Sequence, residues 1–466
     1  MQSTRHVAKS GITFSLALLL TVTWASSARA SEKLQSGEKL TLARAIQLTL
    51  RNHPRRLQME SQAVAAQERV GEAKSELLPQ IYGAADYLRS TDNAIGNTTY
   101  LNPGFVPRIT GTLHGGAPNE GQSFATSNNF LAGIGAQQYL FDFGRVRGQI
   151  RERGQEAKAA QYEAKMASLD LTFETTQRYF ALLAAQQKEK VYKKAVAQRL
   201  EQLHDAKIKT AANLTSQIDV LTAEAALARA RTNLLEAANE KATARVALDR
   251  TMAESPHAPP YRLADVLTYN PVRGNVESYF SSALEVRPDL EMLKAEARAA
   301  GAQVNIARSN FFPSAQAVAG YNAMGTGLPA ANNFNVGLVV SWPIFNGFLT
   351  EHQVDEAKAR ENAVQYAIRD LELRVWLEVK SSFLNLQTAL QQIHSAETTL
   401  AASSSQLELA EKRYDAGLGN IIELTDAERF YIEDDAAYID ALYSYSVAKA
   451  ALDHATGSSV PSKSDS

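Results

Sequence analysis

Residues 218–224 read IDVLTAE, and residues 422–428 read IELTDAE, 204 positions later. The same spacing relates residues 140–144, LFDFG, to residues 344–348, IFNGF. A fixed spacing between several matched segments is the signature of an internal repeat. The chain is therefore predicted to contain two copies of one structural unit.

The spacing between the copies is larger near their starts. Pro54 corresponds to Pro288 and Pro79 to Pro313, and in both pairs the residue numbers differ by 234. The change from 234 to 204 indicates that the first copy carries 30 additional positions after Pro79. The stretch Ser90–Asn128 is rich in Gly, Asn, Pro and Thr, a composition typical of an irregular surface loop, and we place the insertion there.

The repeat gives the predicted domain division. The first copy occupies residues 31–252, and the second occupies residues 278–457. Residues 253–277 contain four prolines and are predicted to form a linker. Residues 458–466 are predicted to be a disordered tail.

Residues 1–30 are predicted to be a secretory signal. Arg5 and Lys9 supply positive charge, residues 11–24 form an apolar segment, and small residues precede a cleavage site after Ala30. The apolar segment is shorter than the roughly 20 residues that a membrane-spanning helix needs. The chain has no cysteine, so we expect neither a disulfide nor lipid attachment to a cysteine.

Two very long helices dominate the prediction. Residues 155–255 and 349–415 contain neither glycine nor proline and are rich in strong helix formers. From Val364 to Ile393, apolar residues recur at intervals of three and four, the spacing of a coiled-coil stripe. The first predicted helix, Gln149–Asn213, is roughly 98 Å long at 1.5 Å per residue. Helices of that length must lie side by side in an extended bundle.

Each long helix is predicted to reverse direction at a short tip. Glycine is the residue best suited to the left-handed conformation that ends a helix, and asparagine is second. The tips are Ala212, Asn213 and Leu214 in the first copy and Ala416, Gly417 and Leu418 in the second. Return helices complete two hairpins, at about 149–252 and 351–456.

Four short strands are predicted at about 80–88, 130–140, 314–323 and 334–342. In the last, alternate residues from Phe334 to Trp342 are apolar, a period of two that marks a sheet with one apolar and one polar face. The pattern alone also fits an ordinary half-buried sheet. Strands of nine to eleven residues have the length of a tilted strand that crosses a bilayer.

Four membrane strands cannot close a barrel by themselves. An open sheet edge in a membrane leaves backbone groups without hydrogen bonds, at a cost of several kcal/mol each. Known closed barrels need eight or more strands. The chain is therefore expected to oligomerise, giving eight strands in a dimer or twelve in a trimer.

No pattern in the sequence indicates catalysis or a cofactor. The sequence has no nucleotide-binding loop and no zinc-peptidase helix, and its eight histidines are scattered without metal-ligand spacing. The formal net charge of −2 gives no electrostatic reason to expect a nucleic-acid partner. We therefore predict that the protein is not an enzyme and uses no cofactor or metal.

The duplicated plan resembles the outer-membrane efflux protein family, the TolC-like channels. The resemblance covers about Leu40–Gly457 and includes residues 287–290, RPDL, residues 342–347, WPIFNG, and the two tips. It implies a mainly α fold with a small β part: long antiparallel helical hairpins form an α-barrel. Four transmembrane β-strands per chain complete a 12-stranded β-barrel as a homotrimer.

The resemblance also implies a location and partners. The trimer is expected in the outer membrane of a Gram-negative bacterium, with a periplasmic helical extension. It is expected to be the exit duct of a tripartite efflux or type I secretion system. Its partners would be a periplasmic adaptor (membrane fusion) protein and an inner-membrane transporter of the RND or ABC type.

A periplasmic pore constriction at the tips follows from the same resemblance. Glu423 and Asp426 match acids that ring the narrowest point of similar channels, and Asp219 and Tyr414 match a pair that links the closed gate. Gly419 stands where some members carry an arginine of that link, which weakens the expected closed state. The residues alone also allow a plainer interpretation, in which the three acids lie near helix N-termini, where carboxylates are stabilised.

Two other classes of function remain open from the residues: a periplasmic adaptor-like coiled-coil scaffold protein, and a purely structural coiled coil. The repeated alternating strands and the duplicated plan favour the channel over both.

Overall fold

The computed structural model describes residues 37–91, 126–212, 215–254, 259–271, 274–325 and 331–458. The predicted signal with cleavage after Ala30, most of the predicted loop, Asn213 and Leu214 of the first tip, and all but the first residue of the predicted tail lie outside these ranges. Within them the chain is mainly helical with a smaller sheet, which confirms the predicted α fold with a small β part.

Corresponding helices of the two copies have equal lengths. The first copy contains α1 (Leu42–Asn52), α2 (Pro54–Ser75), α3 (Arg145–Ala211) and α4 (Gln217–Thr251), and the second contains α5 (Val276–Val286), α6 (Pro288–Ser309), α7 (Leu349–Asp415) and α8 (Ile421–Ala455). Their lengths are 11, 22, 67 and 35 residues in each copy. The internal repeat of the sequence is thus a repeat of helical framework.

The long helices form two extended hairpins. α3 packs against α4 and α7 against α8, and α3 and α7 are each roughly 100 Å long. The buried side of α7 includes Leu371, Val375, Val379, Leu386 and Ile393, which belong to the stripe predicted from the sequence. Burial of this stripe in the middle of α7 joins it to the largest cluster of buried residues, which also includes residues of α3, α4 and α8.

The helix α3 begins four residues before the predicted start because its first turn is capped from outside. The carboxylate of Asp142 accepts a hydrogen bond from the amide of Val146 at 2.7 Å. Gly148, which disfavours helix by propensity, allows close packing: a Cβ there would lie 2.7 Å from Cγ1 of Ile306 on α6.

Part of the predicted linker belongs to the packed core. β1 (Lys39–Leu40) pairs in parallel with β4 (Arg262–Leu263), which lies in that segment. Tyr261 is buried, and Asp265 accepts a hydrogen bond from the hydroxyl of Tyr179 at 2.6 Å. This segment therefore fastens the start of the first copy to α3.

A buried arginine fastens the second copy together. Arg287, just before α6, is 4% exposed. Its guanidinium lies 2.6 Å from carboxylate oxygens of both Asp289 and Glu378, and it donates to the carbonyl of Ala455 at 3.0 Å. The arginine thus joins the start of α6, the middle of α7 and the end of α8.

The remaining strands form one antiparallel sheet. β2 (Gln80–Thr91), β3 (Thr126–Phe141), β5 (Ser314–Gly325) and β6 (Ala331–Ser341) are hydrogen-bonded in that order. All four predicted strands are present, and β2, β3 and β5 extend further than predicted. β6 begins three residues earlier and ends one residue earlier than predicted. β2 and β6 are the outer strands of the sheet, so each has a neighbour on one side only within the described residues.

One face of the sheet is apolar and open. Tyr321 pairs with Ile134 on one side and with Phe334 on the other, and Ile81 and Val336 extend the same face. These five side chains are between 55% and 82% exposed. An apolar surface this exposed requires a partner other than water.

The opposite face is polar and closely packed. Three side chains each lie over the glycine directly opposite in the register: Tyr82 over Gly135, Asn322 over Gly133 and Asn335 over Gly320. A Cβ at these glycines would lie within 2.8 Å of the covering side chain. Glycine therefore lets these polar residues lie flat along the sheet.

Aromatic side chains collect where the strands meet the helices. The aromatic belt consists of Phe141, Phe143, Phe312, Trp342, Phe345 and Phe348, which are between 43% and 76% exposed. Within it the rings of Phe143 and Phe312 stack with centroids 4.5 Å apart. The belt separates the sheet from the helical rods.

Among the helices described, none has an apolar stretch long enough to cross a membrane.

Candidate functional site at the hairpin tips

The second tip is a tight turn built on glycine. Ala416 caps α7, and Gly417 has a φ of 70°, in the left-handed region that favours glycine. The amide of Leu418 donates to the carbonyl of Arg413 at 2.8 Å, which satisfies one of the free carbonyls at the helix end. Leu418 is 74% exposed at the apex of the turn.

The first tip lies at the equivalent place. Ala212 caps α3, and Ser216 caps α4 by accepting a hydrogen bond from the amide of Ile218 at 3.2 Å. Between them, the predicted tip residues Asn213 and Leu214 lie outside the described residues. Ala212 and Ile218 are exposed, so both hairpins offer accessible ends.

The two predicted pore acids each face a cation of their own chain. Glu423 pairs with Arg413 at 3.0 Å across the second tip, and Asp426 lies 3.5 Å from Arg429. The carboxylates are 44% and 55% exposed. These arginines, which the sequence pattern did not indicate, partly compensate the negative charge at the tip.

Asp219 and Tyr414 are brought together from different hairpins. Burial raises the pKa of the Tyr414 hydroxyl, and the negative charges of Asp219 and Asp205 raise it further. The ammonium of Lys209 lies 4.1 Å from the centroid of the Tyr414 ring, a cation–π contact between α3 and α7. The first hairpin therefore contacts Tyr414 through the cation–π contact of Lys209, and its acids keep the Tyr414 hydroxyl protonated.

The turn leaves little room for a side chain at Gly419. A Cβ at this position would lie 3.2 Å from Cβ of Arg413 and 3.2 Å from the amide nitrogen of Tyr414. A side chain at Gly419 would therefore need its neighbours to yield by a few tenths of an ångström.

A buried ion pair joins the two hairpins above the tips. Arg199 of α3 is 5% exposed and Glu428 of α8 is 3% exposed, and their side chains are hydrogen-bonded to each other. The amide of Gln202 also donates to Glu428, and Arg199 donates to the carbonyl of Thr425 at 3.1 Å. Residues of α3 and α8 are thus tied by three hydrogen bonds.

The environment of Glu428 disfavours its charged form. Burial raises the pKa of Glu428 to about 7, while the neighbouring guanidinium of Arg199 acts in the opposite direction. The carboxylate of Glu411 on α7 raises the pKa further. Glu428 is therefore a group whose charge can change near neutral pH.

Sequence reasoning missed this pair because its partners come from different copies. The positions equivalent to Arg199 and Glu428 are Ser403 and Glu224. Glu224 instead pairs with Lys207 inside the first hairpin, at 3.0 Å and half exposed. The one available signal was the loss of repeat symmetry, with arginine in one copy where the other has serine.

Across the described ranges, no cluster of three or more His, Cys, Asp or Glu side chains is arranged to hold a metal ion.

Comparisons with known proteins agree with this architecture. The family model described as "Outer membrane efflux protein" matches residues 45–254 and 279–458. The cation efflux system protein CusC of Escherichia coli K12 is 24% identical over 72% of this chain and 74% of its own length. The pyoverdine export outer membrane protein OpmQ of Pseudomonas aeruginosa is 24% identical over 67% and 68%, respectively.

The fold also matches solved structures. The outer membrane channel CmeC of Campylobacter jejuni superimposes with a TM-score of 0.74, covering 98% of this chain and 94% of CmeC. The two sequences are 19% identical, so this likeness concerns the fold alone.

Proposed function

The chain belongs to the outer membrane efflux protein family, whose members are exit ducts for exported substrates, and from that premise we propose that it works as a homotrimer in the outer membrane. The trimer forms a 12-stranded barrel continued by a 12-helix tunnel in the periplasm. It acts as a duct rather than as an enzyme.

The open apolar face of the sheet is the observation that carries this proposal. Its side chains, such as Phe334 and Ile134, are more than 60% exposed, and a lipid environment is the partner that fits them. In lipid, the free edges of β2 and β6 need hydrogen-bonding partners. Pairing β6 of one copy with β2 of the next satisfies both edges and closes the barrel.

The helical rods support the same assembly. Besides its buried stripe, α7 has an exposed apolar stripe of Tyr366, Leu373, Leu377 and Leu384, between 48% and 71% exposed. Their spacings of seven and four residues are those of a coiled-coil seam. We assign this stripe to the contact with the neighbouring copy in the tunnel wall.

The exposed tips are the surface that we assign to the periplasmic adaptor. Leu418 and Ile218 are 74% and 66% exposed and lie at the end farthest from the sheet. The adaptor connects the duct to an inner-membrane transporter of the RND or ABC type. The relatives CusC and OpmQ are named for different cargoes, cations and pyoverdine, so we assign no cargo to this chain.

The assembly is tested by fractionation of cells that express the full chain. We expect trimers in the outer-membrane fraction that resist both carbonate extraction and heating in detergent, because the barrel exposes apolar side chains and has no free edge. A soluble or carbonate-extractable monomer would contradict the proposal.

The constriction is tested by removing its acids. In the Glu423→Ala, Asp426→Ala double variant, we expect the cation preference in single-channel recordings to fall severalfold, because two negative charges are removed at the tip. Arg413 then lies there without Glu423, whereas Arg429 keeps its ion pair with Glu433 at 3.2 Å. Glu224→Ala is the matched control: it removes an acid of similar exposure, 46%, in the first hairpin. If the double variant and the control have the same conductance and ion preference, the constriction lies elsewhere.

A further inference from the structure

The helix α3 has one face that continues the polar face of the sheet. The guanidinium of Arg145 lies over the ring of Tyr139, 4.9 Å from its centroid, and Tyr139 is on the polar face, paired with Gln316. Glu152, Glu156 and Glu163 follow Arg145 at sequence spacings of 7, 11 and 18, close to whole numbers of helical turns. These acids therefore share the face of Arg145, the inner face in the proposed trimer.

Two further sides of α3 are occupied by neighbouring helices. Ala157 packs against Val70 of α2, and Gly148 lies against Ile306 of α6. The fourth side carries exposed basic residues, here called the basic stripe: Arg147, Arg151, Lys158 and Lys165. They lie roughly opposite Arg145 around the helix and so point to the outside of the tunnel.

Among the residues that the structure describes, the stripe has no acidic partner. Within the described ranges, Arg147, Arg151 and Lys158 form no ion pair, and Lys165 contacts the ring of Tyr162. The first turn of α3 contains no acid, although the helix dipole disfavours positive charge at that end. Contacts within the described part of the chain therefore do not explain why positions 147 and 151 carry positive charge.

The second copy lacks this feature. The positions on α7 equivalent to the four basic residues are Glu351, Asp355, Asn362 and Arg369. Four positive charges in the first copy thus correspond to a net charge of −1 in the second. The helical framework is the same in both copies, so the framework itself does not require the basic stripe.

The upper end of the stripe lies next to the aromatic belt. Arg147 follows Phe143 by four residues and Arg151 follows it by eight, which places them about 6 and 12 Å along the helix. Aromatic girdles of membrane barrels lie at the level of the lipid headgroups. Long arginine side chains can reach that level from the first two turns of the helix.

Resting on the proposed outer-membrane trimer, we propose that Arg147 and Arg151 bind anionic phospholipid headgroups of the leaflet that faces the periplasm. The trimer has three such sites around the base of the barrel. A basic residue near an anionic membrane surface strengthens binding roughly fivefold. The pair of arginines is therefore expected to contribute on the order of 25-fold per copy.

Native mass spectrometry of the purified trimer, titrated with phosphatidylglycerol or phosphatidylcholine, tests the proposal. We expect the wild type to retain phosphatidylglycerol preferentially and the Arg147→Gln, Arg151→Gln variant to bind it at least fivefold more weakly. The matched control is Lys158→Gln, Lys165→Gln, lower on the same stripe, which should keep the wild-type affinity. Equal loss in both variants, or no preference for the anionic lipid in the wild type, would overturn the proposal.

A competition arm and a channel measurement separate the remaining outcomes. If inorganic phosphate displaces phosphatidylglycerol from the wild type to the level of the arginine variant, the stripe is a general anion site and the lipid proposal is wrong. Trimer mass and single-channel conductance are recorded on the same preparations. Absence of a conducting trimer would overturn the proposed function, whereas a conducting trimer with unselective lipid binding would overturn only this inference.

Discussion

Replacing Arg287 by alanine is expected to remove most of the folded, heat-resistant protein from the outer-membrane fraction. The substitution removes the cation that pairs with Asp289, whose side chain is 14% exposed and, among the described residues, keeps only the amide of Leu290 as a donor. It also removes the side-chain donor to the carbonyl of Ala455. Breaking a buried ion pair by removing one partner costs roughly 3–5 kcal/mol. The pair with Glu378, whose side chain is 49% exposed, adds little to this loss.

The measurement is the fraction of folded protein against urea concentration. Arg374→Ala is the matched control, because Arg374 pairs with Asp370 on the surface of α7, with side chains 60% and 69% exposed, and its loss should cost less than about 0.5 kcal/mol. Arg287→Lys should fall between the two, since lysine keeps the charge but not the two-pronged geometry. Equal midpoints for Arg287→Ala and Arg374→Ala would show that the arginine does not fasten the second copy.

Lowering the pH from about 7.5 to about 5 is expected to shift the two hairpins toward their packed state, because Glu428 becomes protonated there. The pKa of Glu428 is raised to about 7 where the hairpins pack, and separation would return the carboxyl to water and its pKa toward 4.5. The packed state therefore binds the proton more tightly. The proton therefore stabilises the packed state over the separated state by on the order of 3 kcal/mol per chain. This stabilisation is fully present below about pH 4.5 and is lost as the pH rises to about 7.

Distances between spin labels on the two tips would measure this effect. The chain has no cysteine, so Ala212→Cys and Leu418→Cys can be labelled specifically. We expect the distance to lengthen between about pH 5 and pH 7.5 in this background, and to stay short and independent of pH when Glu428→Gln is added, because glutamine resembles the protonated acid.

Glu224→Gln provides the control for that experiment. Glu224 is the equivalent residue of the first copy, and its side chain is 46% exposed. The control should keep the pH dependence of the parent. An unchanged pH dependence in Glu428→Gln would show that another group controls the separation.

The framework was predictable because it depends on local properties that recur in the sequence. The long helices follow from stretches without glycine or proline, and the strands follow from alternation such as that of residues 334–342. The start of α3 was placed too late because Gly148 disfavours helix by itself. Its place inside the helix depends on the close approach of Ile306, which belongs to the other copy and is distant in sequence.

The electrostatics of the tips were less predictable. The positions of Asp219 and Tyr414 near the tips followed from the resemblance. The arginines that pair with Glu423 and Asp426 were not recognised. The tie between Arg199 and Glu428 depends on how α3 and α8 are rotated against each other. Periodicity indicates which side of a helix is buried, but not which residue of another copy it meets.

Equal helix lengths in the two copies have a consequence for how such a duct can evolve. Each residue lengthens a helix by about 1.5 Å and turns it by roughly 100°. An insertion confined to α3 would therefore carry one tip past the other and rotate every later side chain around the rod. Only matched insertions in α3, α4, α7 and α8 keep the tips of the two hairpins at the same level. The length of the duct is thereby set by the number of residues in its helices. Substitutions that keep this number are tolerated far better than insertions or deletions.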